Sequence, residues 1–288
     1  MTNTNAIRRA FTELAHGQMH YRTAGRGGPL IIFHASPGSS KQLLSLIRDL
    51  QGIARVFAPD TPGNGDSEPL PLEAPRIVDL AEAMARFLDV MQLDRVDLYG
   101  SHTGAAIAAE LAILVPQRIG RVVLEGVQVL TPEERTEMMA RYAFPFAADL
   151  DGAYLSRVFQ FCRDQHLFYP WYERTRKCQR AGGLPAAEDL HNAVVEVLKA
   201  HETYHLNYRA AFQWEARKRL PLLMRPTLML AAENDPLMET TRDVTTALRD
   251  GRYVALPRFD AADFSTRRMA AITSFLTAER RRDGDSPT

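Results

Sequence analysis

The sequence predicts an α/β fold: a mostly parallel central sheet with helices on both faces and an inserted helical lid. Three observations predict it. Short apolar runs of strand length alternate with segments of helical spacing along most of the chain, the pattern of successive βα units. Between residues 131 and 220 that rhythm breaks into a nearly all-helical pattern and then resumes. The chain has 288 residues, 45% of them hydrophobic, which suits one large domain or one domain with a sizeable insertion.

The elements follow in order. Residues 11–17 and 18–24 read as a hairpin of two short strands. Residues 29–34 carry the run Leu30-Ile31-Ile32-Phe33, typical of a buried strand. A loop, His34 to Ser39, leads into a helix reaching about Leu50, with Ser39 or Ser40 as its N-cap. A strand at 55–58 ends in the turn-rich segment from Pro59 to Ser67. Ile77, Leu80, Ala81, Met84 and Leu88 share one helical face and place a helix over 77–91. A strand at 96–99, an alanine-rich helix at 105–114 and a strand at 122–125 follow. Beyond the helical segment come a strand at 227–231, a helix at 239–248, a strand at 253–256 and a helix at 267–276. The expected organisation is a core of residues 1–130 and 221–280, a lid of 131–220, and a disordered Arg/Asp/Gly/Ser/Pro-rich tail at 281–288.

Lys+Arg and Asp+Glu number 35 each, so no bulk field draws the chain to nucleic acid or an anionic membrane. Two cysteines, Cys162 and Cys178, do not make a disulfide scaffold. Residues 1–9 lack the apolar run of a signal peptide, and no stretch has the length of a membrane span. The expectation is a cytoplasmic, cofactor-free protein whose partner is a small-molecule substrate.

Four motifs carry the chemistry. They are His34-Ala35-Ser36-Pro37-Gly38; Asp60-Thr61-Pro62-Gly63-Asn64-Gly65-Asp66-Ser67; Gly100-Ser101-His102-Thr103-Gly104; and Asn234-Asp235-Pro236. In this order and at these intervals the chain resembles the α/β-hydrolase superfamily over roughly residues 11–276. The resemblance implies an α/β-hydrolase fold, an oxyanion loop at His34–Gly38, a nucleophile elbow at Gly100–Gly104 and a triad acid at Asp235.

Two departures stand out. A sharp strand-to-helix turn needs small residues two before and two after its apex. Gly100 and Gly104 meet that need only if His102 is the apex; with Ser101 there, Tyr99 would be the small neighbour. Histidine therefore stands where a hydrolase carries serine. The loop after the last strand, Pro257 to Phe264, contains no histidine, although the resemblance implies the triad base there. A Ser–His–Asp mechanism needs a hydroxyl to attack and an imidazole to take its proton.

Three roles remain open for His102: general acid/base, covalent nucleophile, or inert relic in a ligand-binding protein. Asp235, Asp260 or Asp263 would hold its tautomer. By resemblance the oxyanion hole is the N–H groups of Ser36 and Thr103, whatever their side chains, while His34 is structural. The default reaction is hydrolysis of an ester, thioester, lactone or carbon–carbon bond next to a carbonyl. Lyase, isomerase or cyclase chemistry is the alternative, because proton transfer beside an oxyanion hole suffices for it. His201-Glu202-Thr203-Tyr204-His205 matches the zinc motif H-E-x-x-H but lacks a third ligand at the usual distance, so zinc hydrolysis is a distant alternative and no metal is expected. His166, Tyr169, Trp171, Tyr172, Tyr204 and Tyr208 make the lid rich in rings. Any of His166, His201 and His205 is a candidate for the missing base.

Overall fold

A computed structural model describes residues 6–278, so the expected tail lies outside the described residues. The strands are β1 (Arg8–Leu14), β2 (Gly17–Ala24), β3 (Pro29–Phe33), β4 (Arg55–Pro59), β5 (Val96–Ser101), β6 (Ile119–Glu125), β7 (Thr227–Ala232) and β8 (Gly251–Leu256). They form one sheet in the order β1-β2-β4-β3-β5-β6-β7-β8. The hairpin β1–β2 is antiparallel and joins β4 antiparallel, while β3 to β8 run parallel.

Parallel strands need both faces covered. On β3, Ile31 and Phe33 enter one core while Leu30 and Ile32 enter the other. The first face is covered by α2 (Ile77–Val90), α3 (Thr103–Leu114) and α9 (Met238–Thr245), the second by α1 (Leu44–Leu50) and α10 (Phe264–Thr277). Helix α2 buries Ile77, Leu80, Ala81, Met84, Phe87 and Leu88, the stripe its spacing predicts. Helix α3 is buried all round, from Thr103 to Ala112, and its alanines let it lie close against the sheet.

Between β6 and β7 lies the insertion, with α4 (Pro132–Arg141), α5 (Ala153–Leu167), α6 (Ala187–Lys199), α7 (Tyr204–Gln213) and α8 (Ala216–Arg219). It opens on a capping box. Thr131 Oγ1 accepts the Glu134 N–H at 3.2 Å, and Glu134 Oε2 accepts the Thr131 N–H at 2.9 Å. The insertion has its own core, built on Tyr142, Phe146, Phe161, Tyr204, Tyr208 and Phe212. Ala210 of α7 turns the other way, into the core beneath α3.

The insertion is less helical than the sequence pattern suggests. Residues 168–186 form an irregular strap, closed by one bridge between Phe168 and Gln179. Pro170, Gly182, Gly183 and Pro185 account for it. Proline supplies no N–H for a helix, and glycine pays the largest entropy to join one.

Candidate active site

Between β5 and α3 the backbone turns sharply at His102, which has φ 52° and ψ −111°. A side chain on Gly100 would meet the Gly104 carbonyl oxygen at 2.1 Å, and one on Gly104 would meet the Phe33 carbonyl oxygen at 2.5 Å. No larger residue fits either place. A left-handed φ at a non-glycine residue costs on the order of 1–3 kcal/mol, so the surrounding packing must hold His102 there.

That strain aims the imidazole at the acid turn. His102 Nε2 lies 3.0 Å from Asp235 Oδ2, with the Asp235 side chain fully buried and 35% of the His102 side chain exposed. Asp235 also accepts the Leu237 N–H at 2.7 Å. Burial works to raise its pKa, but the charge and hydrogen bond of His102 and the Leu237 N–H outweigh this and hold it below the usual carboxylate range. Burial likewise works to lower the His102 pKa; the Asp235 charge and hydrogen bond and the Glu125 charge outweigh it, and the pKa is raised. An ionised carboxylate only accepts, so Nε2 carries the proton and Nδ1 keeps its lone pair. Gly126 makes room for the dyad: a side chain there would meet His102 Nε2 at 2.8 Å.

The dyad borders a cavity of about 520 Å³ at the carboxyl ends of β3, β5 and β6, roofed by the insertion. Ser36, Ser101 and Thr103 line it beside His102. The Ser36 hydroxyl is buried and has no partner among the described residues. Thr103 opens α3, where the first N–H groups have no intrahelical acceptor. His34 lies behind the oxyanion loop. Its Nε2 accepts the Thr61 N–H at 3.0 Å, leaving Nδ1–H to donate to the Ala35 carbonyl at 3.0 Å, and burial lowers its pKa. It is a neutral strut between two loops.

Other expected residues lie elsewhere. Asp260 pairs with Arg258 and Asp263 with Arg267, and both carboxylates are exposed at the surface, so neither orients His102. Trp171 donates its indole N–H to the Tyr142 carbonyl, and Tyr204 its hydroxyl to the Phe144 carbonyl; both belong to the insertion's core. His201 sits in a turn before α7 with Nδ1 2.9 Å from the Phe146 carbonyl oxygen. The helical i, i+4 pairing with His205 is therefore missing, and His201, Glu202 and His205 form no metal-ligating group among the described residues. Of the insertion's histidines, His166 lines the cavity, its pKa lowered by burial and then by the Arg180 charge. His205 is half-buried on α7.

Several cavity residues were not anticipated. Glu125 ends β6, its side chain 4% exposed, and accepts the Tyr99 hydroxyl at 2.8 Å with Arg268 3.9 Å away. Burial raises its pKa against the opposing pull of Arg268. A carboxylate closing the apolar run Val122-Val123-Leu124 was the available signal. Arg180 of the strap and Arg268 of α10 gave none, because only the fold brings them to the cavity. Cys162 also lines it, its thiol pushed up to about 12 by burial and so unreactive.

The fold and the elbow define an α/β-hydrolase-type protein, and the chain belongs to the alpha/beta hydrolase fold family, whose profile matches residues 28–254. It is 31% identical over 114 residues to 2-hydroxy-6-oxononadienedioate/2-hydroxy-6-oxononatrienedioate hydrolase 2 of Pseudomonas putida, covering 38% of this chain and 40% of that protein. It is 31% identical over 133 residues to a haloalkane dehalogenase of Mesorhizobium japonicum, covering 46% and 42%. The chain thus spans less than half the length of these curated relatives. Epoxide hydrolase A from Mycobacterium thermoresistibile superposes with a TM-score of 0.72 at 22% identity, over 96% of this chain and 100% of that one, a likeness of fold. No helix among the described residues is long and apolar enough to cross a membrane.

Proposed function

We propose that the chain is an enzyme that acts on a small carbonyl-containing organic molecule, with the His102–Asp235 dyad as its acid/base centre. The candidate bonds are an ester, thioester, lactone or carbon–carbon bond next to a carbonyl. The observation that carries this reading is the 3.0 Å contact between His102 Nε2 and the buried Asp235 carboxylate, made by a strained residue on a cavity wall. In hydrolysis, His102 Nδ1 takes a proton from water as the water oxygen attacks the carbonyl carbon. The N–H groups of Ser36 and Thr103 hold the oxyanion, and the imidazolium returns the proton to the leaving group. No side-chain hydroxyl needs to attack, which fits a histidine in the serine's place. Residues 131–220 act as the lid that excludes water and selects the substrate.

The 2-hydroxy-6-oxononadienedioate/2-hydroxy-6-oxononatrienedioate hydrolase among the relatives, named for an oxo-acid substrate, supports a reaction of this kind. The alternative on the same groups is proton transfer next to a carbonyl without water attack, as in a lyase, isomerase or cyclase. A panel of p-nitrophenyl esters, lactones and β-diketones tests both. The expected result is turnover of at least one class that His102→Ala abolishes while ligand binding persists. Turnover that survives His102→Ala and disappears in Ser101→Ala overturns the reading.

A further inference from the structure

The cavity carries a cation that the acid/base centre does not use. Its lining contains two arginines, Arg180 and Arg268, and one carboxylate, Glu125. Glu125 lies beside Arg268, 3.9 Å away. Arg180 has no such neighbour: among the described residues no carboxylate lies within 4.0 Å of its guanidinium.

Arg180 is also held in place. Its own N–H donates to the Leu167 carbonyl at 2.8 Å, and its Nη1 to the Gln165 carbonyl at 2.7 Å. Both carbonyls belong to the last turn of α5, the negative end of the helix, which favours a cation. The Phe168–Gln179 bridge and the Tyr169 N–H to Cys178 carbonyl bond, 2.8 Å, close the strap just before it. One edge of the guanidinium is thus tied to backbone, and Nε and Nη2 remain as donors. Arg180 lines the cavity with His102, and its charge acts on both His102 and Asp235. The same cavity wall carries the rings of Tyr142, Tyr169, Phe212 and Trp214.

We propose that this cavity takes a carboxylate-bearing substrate, its carboxylate held by the Arg180 guanidinium and its apolar body against the aromatic wall, with the reacting carbonyl toward His102. A guanidinium presents paired N–H donors that match a planar carboxylate, and desolvation within a cavity strengthens that contact. The proposal rests on the acid/base reading only for which end of the substrate reacts; recognition of the carboxylate is separate from it.

Calorimetric titration of the full chain with matched acid–amide pairs tests it: benzoate and benzamide, cinnamate and cinnamamide, 2-naphthoate and 2-naphthamide. The acid of at least one pair should bind roughly tenfold or more tightly than its amide. Arg180→Gln should bring the acid's affinity down to the amide's, Arg180→Lys should retain part of the preference, and Arg217→Gln, exposed on α8 away from the cavity, should leave it unchanged. Equal binding of acid and amide in every pair overturns the proposal. So does a preference that survives Arg180→Gln and disappears in Arg268→Gln. His102→Ala should keep the acid preference, so failure of the catalytic reading and failure of this one give different results.

Discussion

His102 shows how one residue sets the geometry of a site. The elbow gives any residue at its apex a left-handed φ of 52°, and here that geometry turns an imidazole toward a buried carboxylate. The pair has a definite pH signature. The folded pKa of His102 is raised above 6.5, so its stabilising contribution is complete below 6.5 and is lost as pH rises through the folded value. In the role proposed for it, His102 must be neutral to take a proton, so activity should run the other way: kcat/KM should rise with pH through a value above 6.5. Imidazole proton shifts in an NMR titration check the first statement without a substrate. Asp235→Asn should lower the His102 pKa and reduce turnover by roughly 10³–10⁴-fold, as loss of a tautomer-fixing carboxylate does elsewhere. A His102 resonance that titrates unchanged in Asp235→Asn would show that the two do not interact in solution. Gly126 gives a second test. A methyl group there meets the imidazole at 2.8 Å, so Gly126→Ala should displace His102, abolish the raised pKa and leave the global melt within a few degrees. His102 and Asp235 were legible in the sequence because glycine spacing and a strand-end acid are local signals. Arg180 was not, since nothing local distinguishes it from other arginines in its segment.

At the scale of elements, the parallel strands and their covering helices were legible because each carries its own periodicity. The strap at 168–186 was not. The pattern over 131–220 reads as nearly all helical, yet Pro170 and the Gly182–Gly183 pair prevent a helix here, and Tyr169, Trp171 and Tyr172 pack from an irregular backbone. How the insertion is fastened is equally non-local. Asn207 of α7 donates to Thr61 Oγ1 at 3.1 Å and to the Pro62 carbonyl at 3.0 Å, and Thr203 Oγ1 donates to the Gly63 carbonyl at 2.7 Å. Ser39 of the oxyanion loop donates to Glu196 of α6. These bonds join the insertion to the loops after β3 and β4. Asn207→Ala removes two buried bonds and should cost on the order of 1–3 kcal/mol. Hydrogen exchange should accelerate in α6 and α7 and stay unchanged in the sheet, because the insertion has a separate core. Uniform acceleration across the chain would mean that insertion and sheet unfold as one unit.

Over the whole molecule, acid sensitivity should concentrate at one buried carboxylate that ties the hairpin, the sheet and the oxyanion loop together. Asp60, at the end of β4, is buried and accepts from His20 of β2 at 2.9 Å, from the Ser40 N–H at 2.8 Å and from the Asp66 N–H at 3.0 Å. Burial opposes its charge, yet these donors, His20 first, hold its pKa at about 2 against an ordinary 3.8. A depressed folded pKa contributes stability above the unfolded value and loses it as pH falls through the folded one. For Asp60 the window therefore runs from about 4 down to about 2, and the shift corresponds to about 2 kcal/mol. Asp235, also depressed, adds to the loss in the same direction. Urea unfolding between pH 6 and pH 2 should show a steeper loss in the wild-type chain than in Asp60→Asn, which starts less stable and lacks this titration. Because Asp60 holds Ser40 and its neighbour Ser39 caps the next turn against Glu196, the oxyanion loop and the insertion's anchor should loosen together as Asp60 protonates. Parallel wild-type and Asp60→Asn curves across that window would place the acid transition on other carboxylates and separate the stability of the loop from the charge beneath it.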